Sequence, residues 1–367
     1  MDRLAAGSRR SFLFSALAAV GLKAQTSKGR SFPGEPHPYA DPTTELAVYR
    51  LTTPEYASSL PAYYSRAIAR NSAELLFCSD RTGTPQAFRM DVKTGEQHQL
   101  TEAADLDGSS LTFTPDNRSL VFFAGRSLFV AGMSNLRERQ LYRVPDGWER
   151  APGMNVGPDG THALFAERSG EKSRLRTVPL VRGEARTVLE GAFTIANPIA
   201  RPMRAQILYQ GDGGLWLVNS DGQQNRKLKI AGGRCVEPNW SSGGKTILYL
   251  NYPEDPRQLH AIREIAPDSG TDKLVAKTSQ FASFAFNHDT SVFAGASANK
   301  GSPTVLIMLR ITQSERTLCE HKASRPEDVT ILFSPDSQRI YFQSDREGKS
   351  AIYALHVEKL LEKTEDQ

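Results

Sequence analysis

Cysteine is scarce in this chain: Cys78, Cys235 and Cys319 are the three in 367 residues. An odd, sparse set builds no disulfide framework. Each sits in or beside an apolar, strand-like run, where a buried free thiol is expected. Histidine is scattered over seven positions, His37, His98, His162, His260, His288, His321 and His356, and no His-x-His occurs. Cys319-Glu-His321 is the nearest approach to a metal-binding pair, and without partners a surface or strand-end histidine is the default reading. No Gly-x-Ser-x-Gly elbow, phosphate loop or zinc spacing is present, which removes the hydrolase, nucleotide and zinc readings that rest on them. The formal net charge is +4, yet no block of Lys and Arg stands out. Aromatic residues do not interleave with basic ones, so no nucleic-acid platform is expected.

Hydrophobic residues make up 39% and charged residues 23%, ordinary globular values, so the chain can bury a large core. No apolar run is long enough to span a bilayer as a helix. The longest, Ser15–Leu22, follows Ser8-Arg9-Arg10-Ser11-Phe12-Leu13-Phe14. Paired arginines ahead of a short apolar stretch resemble a twin-arginine export signal, with cleavage expected after Ala24. Residues 1–24 are therefore read as a signal, the mature protein as periplasmic or secreted, and no transmembrane segment remains after its removal. Residues 25–44 are polar and carry Pro33, Pro36, Pro38 and Pro42, which reads as an extended, poorly ordered linker.

The strongest internal signal is a repeat. Its clearest copies are Phe113-Thr-Pro-Asp-Asn-Arg-Ser-Leu-Val-Phe-Phe123, Val156-Gly-Pro-Asp-Gly-Thr-His-Ala-Leu-Phe165 and Phe333-Ser-Pro-Asp-Ser-Gln-Arg-Ile-Tyr-Phe342. Aligned on the Asp-like turn position, seven copies fall at Asn71, Asp116, Asp159, Met203, Gly243, Asp289 and Asp336, with steps of 45, 43, 44, 40, 46 and 47 residues. Pro and Asp pre-set the turn, and the apolar, β-branched run after it returns as a strand. Seven copies at that period predict an all-β, seven-bladed β-propeller of four-stranded blades over residues 45–358. The last copy supplies only three strands before the charged tail, 359–367. Glu45–Thr52, with strand composition, is expected to complete it and close the ring, which removes exposed sheet edges.

The turn Ser/Thr-Pro-Asp, a strand, then Ser-Asp-Arg-x-Gly (Ser79–Gly83, Ser344–Gly348) resembles the TolB-type propeller repeat. A narrower resemblance starts near Leu46. Leu51-Thr-Thr-Pro54, Leu75-Leu-Phe-Cys-Ser-Asp80, Gln99-Leu-Thr-Glu102 and above all Leu215-Trp-Leu-Val-Asn-Ser-Asp-Gly222 follow one another as in the oligogalacturonate lyase family. That resemblance implies a seven-bladed propeller that cleaves pectin fragments by β-elimination with a divalent metal, often manganese. A base removes the proton α to the uronate carboxylate, and a cation stabilises the enolate-like charge. The family's metal is held by a His ahead of the sixth copy and by Gln-x-x-His-x-His ahead of the last. Those places read Ser283 and Arg325-Pro-Glu-Asp328-Val-Thr330 here. Asp328 alone is a candidate metal ligand, and one carboxylate is a poor site. Manganese is expected only if the family's chemistry is retained.

Other family positions also differ. Ser59 stands for a His, Gly214 for an Arg, and Glu237 for the His that follows the Cys of its segment. Glu237 is the one replacement that keeps a proton acceptor, a catalytic candidate set against the plainer reading of a solvated loop residue beside Pro238. Arg325 is a candidate for a uronate carboxylate, set against a blade-end ion pair. Trp148 and Arg150, in Asp146-Gly-Trp-Glu-Arg150, are candidates for sugar contact. Trp216 and Trp240 fall inside the repeat and are expected in the core. The expectations are an exported propeller acting on or binding uronate-rich glycan, a non-catalytic glycan binder, or a TolB-like scaffold for a protein partner, in each case a monomer or weak oligomer. The ligand face is expected at one end of the central channel.

Overall fold

The molecule, a computed structural model, is described over residues 27–278 and 280–357. The export signal and the charged tail lie outside the described residues. Seven antiparallel sheets follow one another along the chain, and among the described residues no α-helix interrupts them. In every blade the chain runs from the inner strand outwards, and the outermost strands of blades 1 and 7 are supplied by earlier residues, 31–50. The inner strands are Ser58–Ser59, Thr112–Phe113, Glu149–Val156, Ala196–Ala200, Arg234–Trp240, Ala285–Phe286 and Ile331–Phe333.

The second strand of each blade is packed on both faces by its neighbours, so it reads as a continuous apolar run rather than an alternating one. Leu120–Phe123 and Ile247–Leu250 are wholly buried, whereas the outer strand Glu138–Arg143 of blade 2 is largely exposed. The core therefore lies between blades. Val121 and Phe123 of blade 2 pack with Met154, Val156 and Phe165 of blade 3 in one cluster.

One hydrogen bond recurs in all seven blades and fixes the repeat. The N–H two residues before each aligned turn position donates to the carbonyl five residues on: Ala69 to Glu74, Thr114 to Ser119, Gly157 to His162, Arg201 to Gln206, Ser241 to Thr246, Asn287 to Val292 and Ser334 to Arg339. Six of these turns then place a left-handed residue after the aligned position, from Ser72 to Ser337, while blade 4 places it at Met203 itself. Blade 4, with Met203 there, has neither the Asp of blades 2, 3, 6 and 7 nor the Asn of blade 1 to brace the turn. Arg201 takes over, buried to 1%, with two bonds of 2.8 Å to the Asp268 carboxylate and one of 2.7 Å to Gly244 O.

Ala47–Arg50 closes the ring as the fourth strand of blade 7, with Val48 opposite Leu355 and Arg50 opposite Tyr353. The Pro-rich segment before it departs from the sequence-based expectation. It is not a loose linker: Ser31–Phe32 pairs with Gln97–His98 at the rim of blade 1, and His37–Ala40 pairs with Ala47–Arg50 as a fifth strand of blade 7. Pro38 is tolerated there because an outermost strand needs no donor on its free side.

Candidate functional site

The inner strands all start at one end of the channel and finish at the other. The starting end is called the mouth here, and the other the turn end. Between them the channel is crossed by the chain itself. In blade 1, Ser59 pairs with Cys78, and Leu76 N bonds Ala67 O, so residues 60–66 oppose Phe77 alone. The excess leaves the ladder and reaches across the ring. Ala62 N bonds Ser109 O and Arg66 N bonds Thr112 Oγ1 in blade 2, and Asn155 Nδ2 of blade 3 bonds Tyr64 O. Tyr64 Oη bonds Asn197 Oδ1 of blade 4, Tyr63 Oη bonds Pro238 O of blade 5, and Leu60 N bonds Gln343 Oε1 of blade 7.

Three consecutive inner strands are reshaped where this plug lands. The registers of blades 3, 4 and 5 break between Arg150 and Met154, Ala196 and Ile199, and Val236 and Asn239. Each break holds a left-handed residue: Gly153, Asn197 and Glu237. Bulges of this kind re-aim side chains. At Gly153 the close approach demands glycine, since a Cβ would lie 2.5 Å from Asn197 Cα.

Glu237 is therefore not a solvated loop residue. It sits on the inner strand of blade 5, its side chain turned by the bulge towards blade 6, where its Oε2 accepts from Phe284 N. The residue is half-buried, and its accessible part lines a cavity between blades 5 and 6. Burial pushes its carboxyl up to about 8, against the opposing pull of the Phe284 N–H. No Lys or Arg pairs with it among the described residues. The cavity, about 290 Å³, is lined by Tyr63 and Arg66 of the plug, Glu237 and Asn239 of blade 5, and Phe284 and Phe286 of blade 6, and runs to His288 and Pro335 at the turn end.

The mouth gathers different residues. A cleft of about 540 Å³ is lined by Ser59, Ser109, Arg325, Glu327, Asp328 and Thr330, so the structure does bring Arg325 and Asp328 together with Ser59. Arg325 is exposed, and its Nε lies 3.4 Å from Glu327 and 3.3 Å from Asp328. Its two terminal nitrogens have no protein partner among the described residues. Ser283 is buried, its Oγ accepting from Ala296 N at 3.2 Å. Manganese does not fit this set. A guanidinium stands where a ligand is needed, the one aligned carboxylate is its ion-pair partner, and among the described residues no group of three or more His, Cys, Asp or Glu comes together to hold an ion.

The other candidates are tied into the fold. Trp148 is half-buried rather than free, its indole covered by the Arg174 guanidinium 3.9 Å from the ring centroid. Arg150 forms an ion pair with Asp107 at 2.5 Å and lies over the Phe123 ring, which occupies both its charge and its face. Trp240 is buried as expected of the core, whereas Trp216 is half-buried at the core's edge, its Nε1 donating to Gly211 O at 2.8 Å. Cys78 and Cys319 are buried and Cys235 half-buried, all three as free thiols. Sequence reasoning missed the plug and Arg66. The adjacent pair Tyr63-Tyr64, where a strand would alternate, was the available signal.

Two family models match. The TolB β-propeller domain covers residues 206–361, and oligogalacturonate lyase covers residues 26–168, which takes in the stretch read as a linker. An oligogalacturonide lyase of Pectobacterium atrosepticum is 25% identical over 90% of this chain and 98% of its own length. An oligogalacturonate lyase of Dickeya dadantii is 24% identical over the same shares. Among solved structures, an oligogalacturonate lyase from Vibrio parahaemolyticus superposes with a TM-score of 0.85 at 22% identity, covering 91% of this chain and 99% of that one. An oligogalacturonate lyase in complex with manganese superposes at 0.84 and 23% identity, covering 90% and 98%.

Proposed function

We propose that this relative of the oligogalacturonate lyases, alike along nine-tenths of its length, is an exported propeller that binds uronate-containing glycan at the channel mouth without the metal-assisted elimination. The observation that carries this reading is the Arg325–Asp328 ion pair at the aligned ligand positions. Its guanidinium uses Nε for the neighbouring carboxylates and leaves the terminal nitrogens for a carboxylate from outside, a bidentate geometry that suits a uronate. Export rests on the paired arginines of the N-terminus.

The test is incubation of the mature protein with oligogalacturonides, with and without manganese. Calorimetry reads binding, and ultraviolet absorbance reads unsaturated product. The expected result is binding that manganese does not change and no product. Arg325→Gln should weaken binding about tenfold, the loss of one charge-assisted contact. Manganese-dependent product would overturn the reading. Neither product nor binding would leave the propeller as a scaffold for a protein partner.

A second reading keeps the elimination and makes Glu237 its base. What favours it is the burial that holds this carboxyl near 8, close to the strength a general base needs at working pH. In that case the scissile bond sits in the cavity beside Glu237 rather than at the mouth, and Glu237→Gln abolishes product while binding persists.

A further inference from the structure

The segment that brings Arg325 to the mouth is held by two titratable side chains. It runs from the end of the outer strand of blade 6, Glu315–Glu320, to the 3-10 turn Pro326–Asp328. His321 is anchored through its backbone: its N–H donates to Pro303 O at 2.7 Å, and its carbonyl accepts from Ser344 Oγ. Lys322, whose N–H reaches the same Pro303 oxygen at 3.2 Å, follows in the left-handed region and is placed to act as a hinge. Past it the chain relies on side chains. Ala323 N donates to His321 Nδ1 at 3.0 Å, and Ser324 gives its N–H, at 2.8 Å, and its hydroxyl to the Asp345 carboxylate. The His321 ring is wholly buried, with Nε2 3.2 Å from Ser297 O. A carbonyl can only accept, so Nε2 carries the ring's proton, and Nδ1 is bare, as the Ala323 N–H requires. The neutral ring has its donor and its acceptor both in use.

A second proton can enter only at Nδ1. There it meets the Ala323 N–H, donor against donor, so that bond has to open, and the new N–H needs an acceptor of its own. The charges acting on the ring come from the hairpin turn of blade 7: Arg346 opposes an imidazolium and Asp345 favours one. Arg346 is held by Tyr39 Oη and Glu320 O, both at 2.8 Å. The blade 6 contact, Ser297 O, is neutral. On the segment's own side, Glu320 pairs with Lys322, and Asp41 of the N-terminal hairpin accepts from Glu320 N. Asp345 is thus the carboxylate placed to answer the ring.

We infer that His321 is a proton-operated latch on the mouth: when its ring takes up a second proton, the Ala323 bond breaks, Asp345 turns from Ser324 to the imidazolium, and residues 322–325 swing out with Arg325. The proton comes from solvent and no covalent bond changes. Burial holds the ring below the usual imidazole value of 6.5, so the latch is closed above 6.5 and opens as the pH falls through the lower folded value. Burial raises the Asp345 carboxyl, but its bonds from Ser324 outweigh this and hold it below the usual 3.8, so it stays ionised in mild acid. The inference concerns this segment alone and does not depend on what the mouth binds.

Hydrogen exchange of the mature protein, read by mass spectrometry from about pH 7.5 to about pH 4.5 and corrected for the intrinsic rate, tests it. Two rates are followed in the same samples: the backbone amides of a peptide spanning 321–328, and the slow exchange of the His321 ring hydrogen at Cε1, which reports the ring's own titration. Protection of the segment should hold down to pH 6.5 and fall at least tenfold by about pH 4.5, with the midpoint of the ring. The buried strand Ile247–Leu250 should keep its protection throughout. His321→Asn keeps an oxygen for the Ala323 N–H and has nothing to titrate, so its segment should stay protected across the range. Should that variant fail to fold, the shared midpoint in the wild type still decides. Three results would overturn the inference: segment protection that persists to about pH 4.5, a loss whose midpoint differs from that of the ring, or the same loss in a folded His321→Asn.

Discussion

The mouth and the interior of the channel each present one carboxylate at a position where the lyases are expected to carry an imidazole. The two are in opposite states. Asp328 is exposed and lies 3.3 Å from a guanidinium, so its charge is both solvated and answered. Glu237 faces a cavity, accepts one backbone N–H and has no cation beside it, and its carboxyl is pushed up to about 8. The side-chain chemistry is nearly the same, and the environment decides what each can do. Exposure makes the first a partner for Arg325. Burial, which pushes the second up to about 8, leaves it protonated over most of the physiological range.

The largest effect expected from this contrast is on stability against pH. The Glu237 carboxyl titrates near 4.5 when unfolded and near 8 when folded, so between those values the folded state holds a proton that the unfolded state has lost. Stability from this group is fully present below about 4.5 and falls as pH rises, by about 1.4 kcal/mol per unit, levelling off above about 8. Glu237→Gln keeps the acceptor for Phe284 N and has nothing to titrate. Denaturant midpoints for wild type and variant should therefore coincide near pH 4.5 and separate steadily up to pH 8, with the variant the more stable. Parallel curves would mean that Glu237 is hydrated after all, and the contrast with Asp328 would disappear.

A somewhat smaller effect is expected from opening the partition. Tyr64 packs edge-on against Tyr63 at 4.8 Å between ring centroids and bonds Asn197 across the channel. Tyr64→Ala should cost about 2–4 kcal/mol in denaturant unfolding, and Tyr64→Phe about 1 kcal/mol, the share of the single hydrogen bond. Loss of the partition should also admit solvent to Glu237, so the pH dependence above should flatten in Tyr64→Ala and persist in Tyr64→Phe. If both variants keep the full slope, the plug does not seal the interior.

That partition also marks where the sequence stops being legible. The blades could be counted because the turn is local: a Pro-Asp pair marks three of the seven turns, and in all seven one hydrogen bond spans the same five residues. The closing strand followed by elimination, since blade 7 lacked one. The strand at His37–Ala40 could not be found that way. It is polar, holds a proline and gains its order only from Ala47–Arg50 beside it. The bulges at Gly153, Asn197 and Glu237 are invisible for a related reason. They exist where the plug lands, and the plug comes from blade 1, far away in sequence. Glu237 and Trp148 likewise take their surroundings from the fold: the first lines a cavity between blades 5 and 6, and the second lies under Arg174.

The smallest effect is expected at the mouth, and it separates the two carboxylates from the other side. Asp328 is an exposed partner, so removing it should leave the unfolding midpoint unchanged. Its influence should instead be felt by a ligand. With Glu327 it competes for the Arg325 guanidinium and adds negative charge close to where a uronate would dock. Asp328→Asn should therefore raise oligogalacturonide affinity severalfold, with the gain shrinking as salt is added, because an exposed charge is screened within a Debye length of about 10 Å at 0.1 M. A loss for the oligomer would mean that Asp328 touches the glycan itself, and the ion pair with Arg325 would then be part of the binding surface rather than a competitor for it.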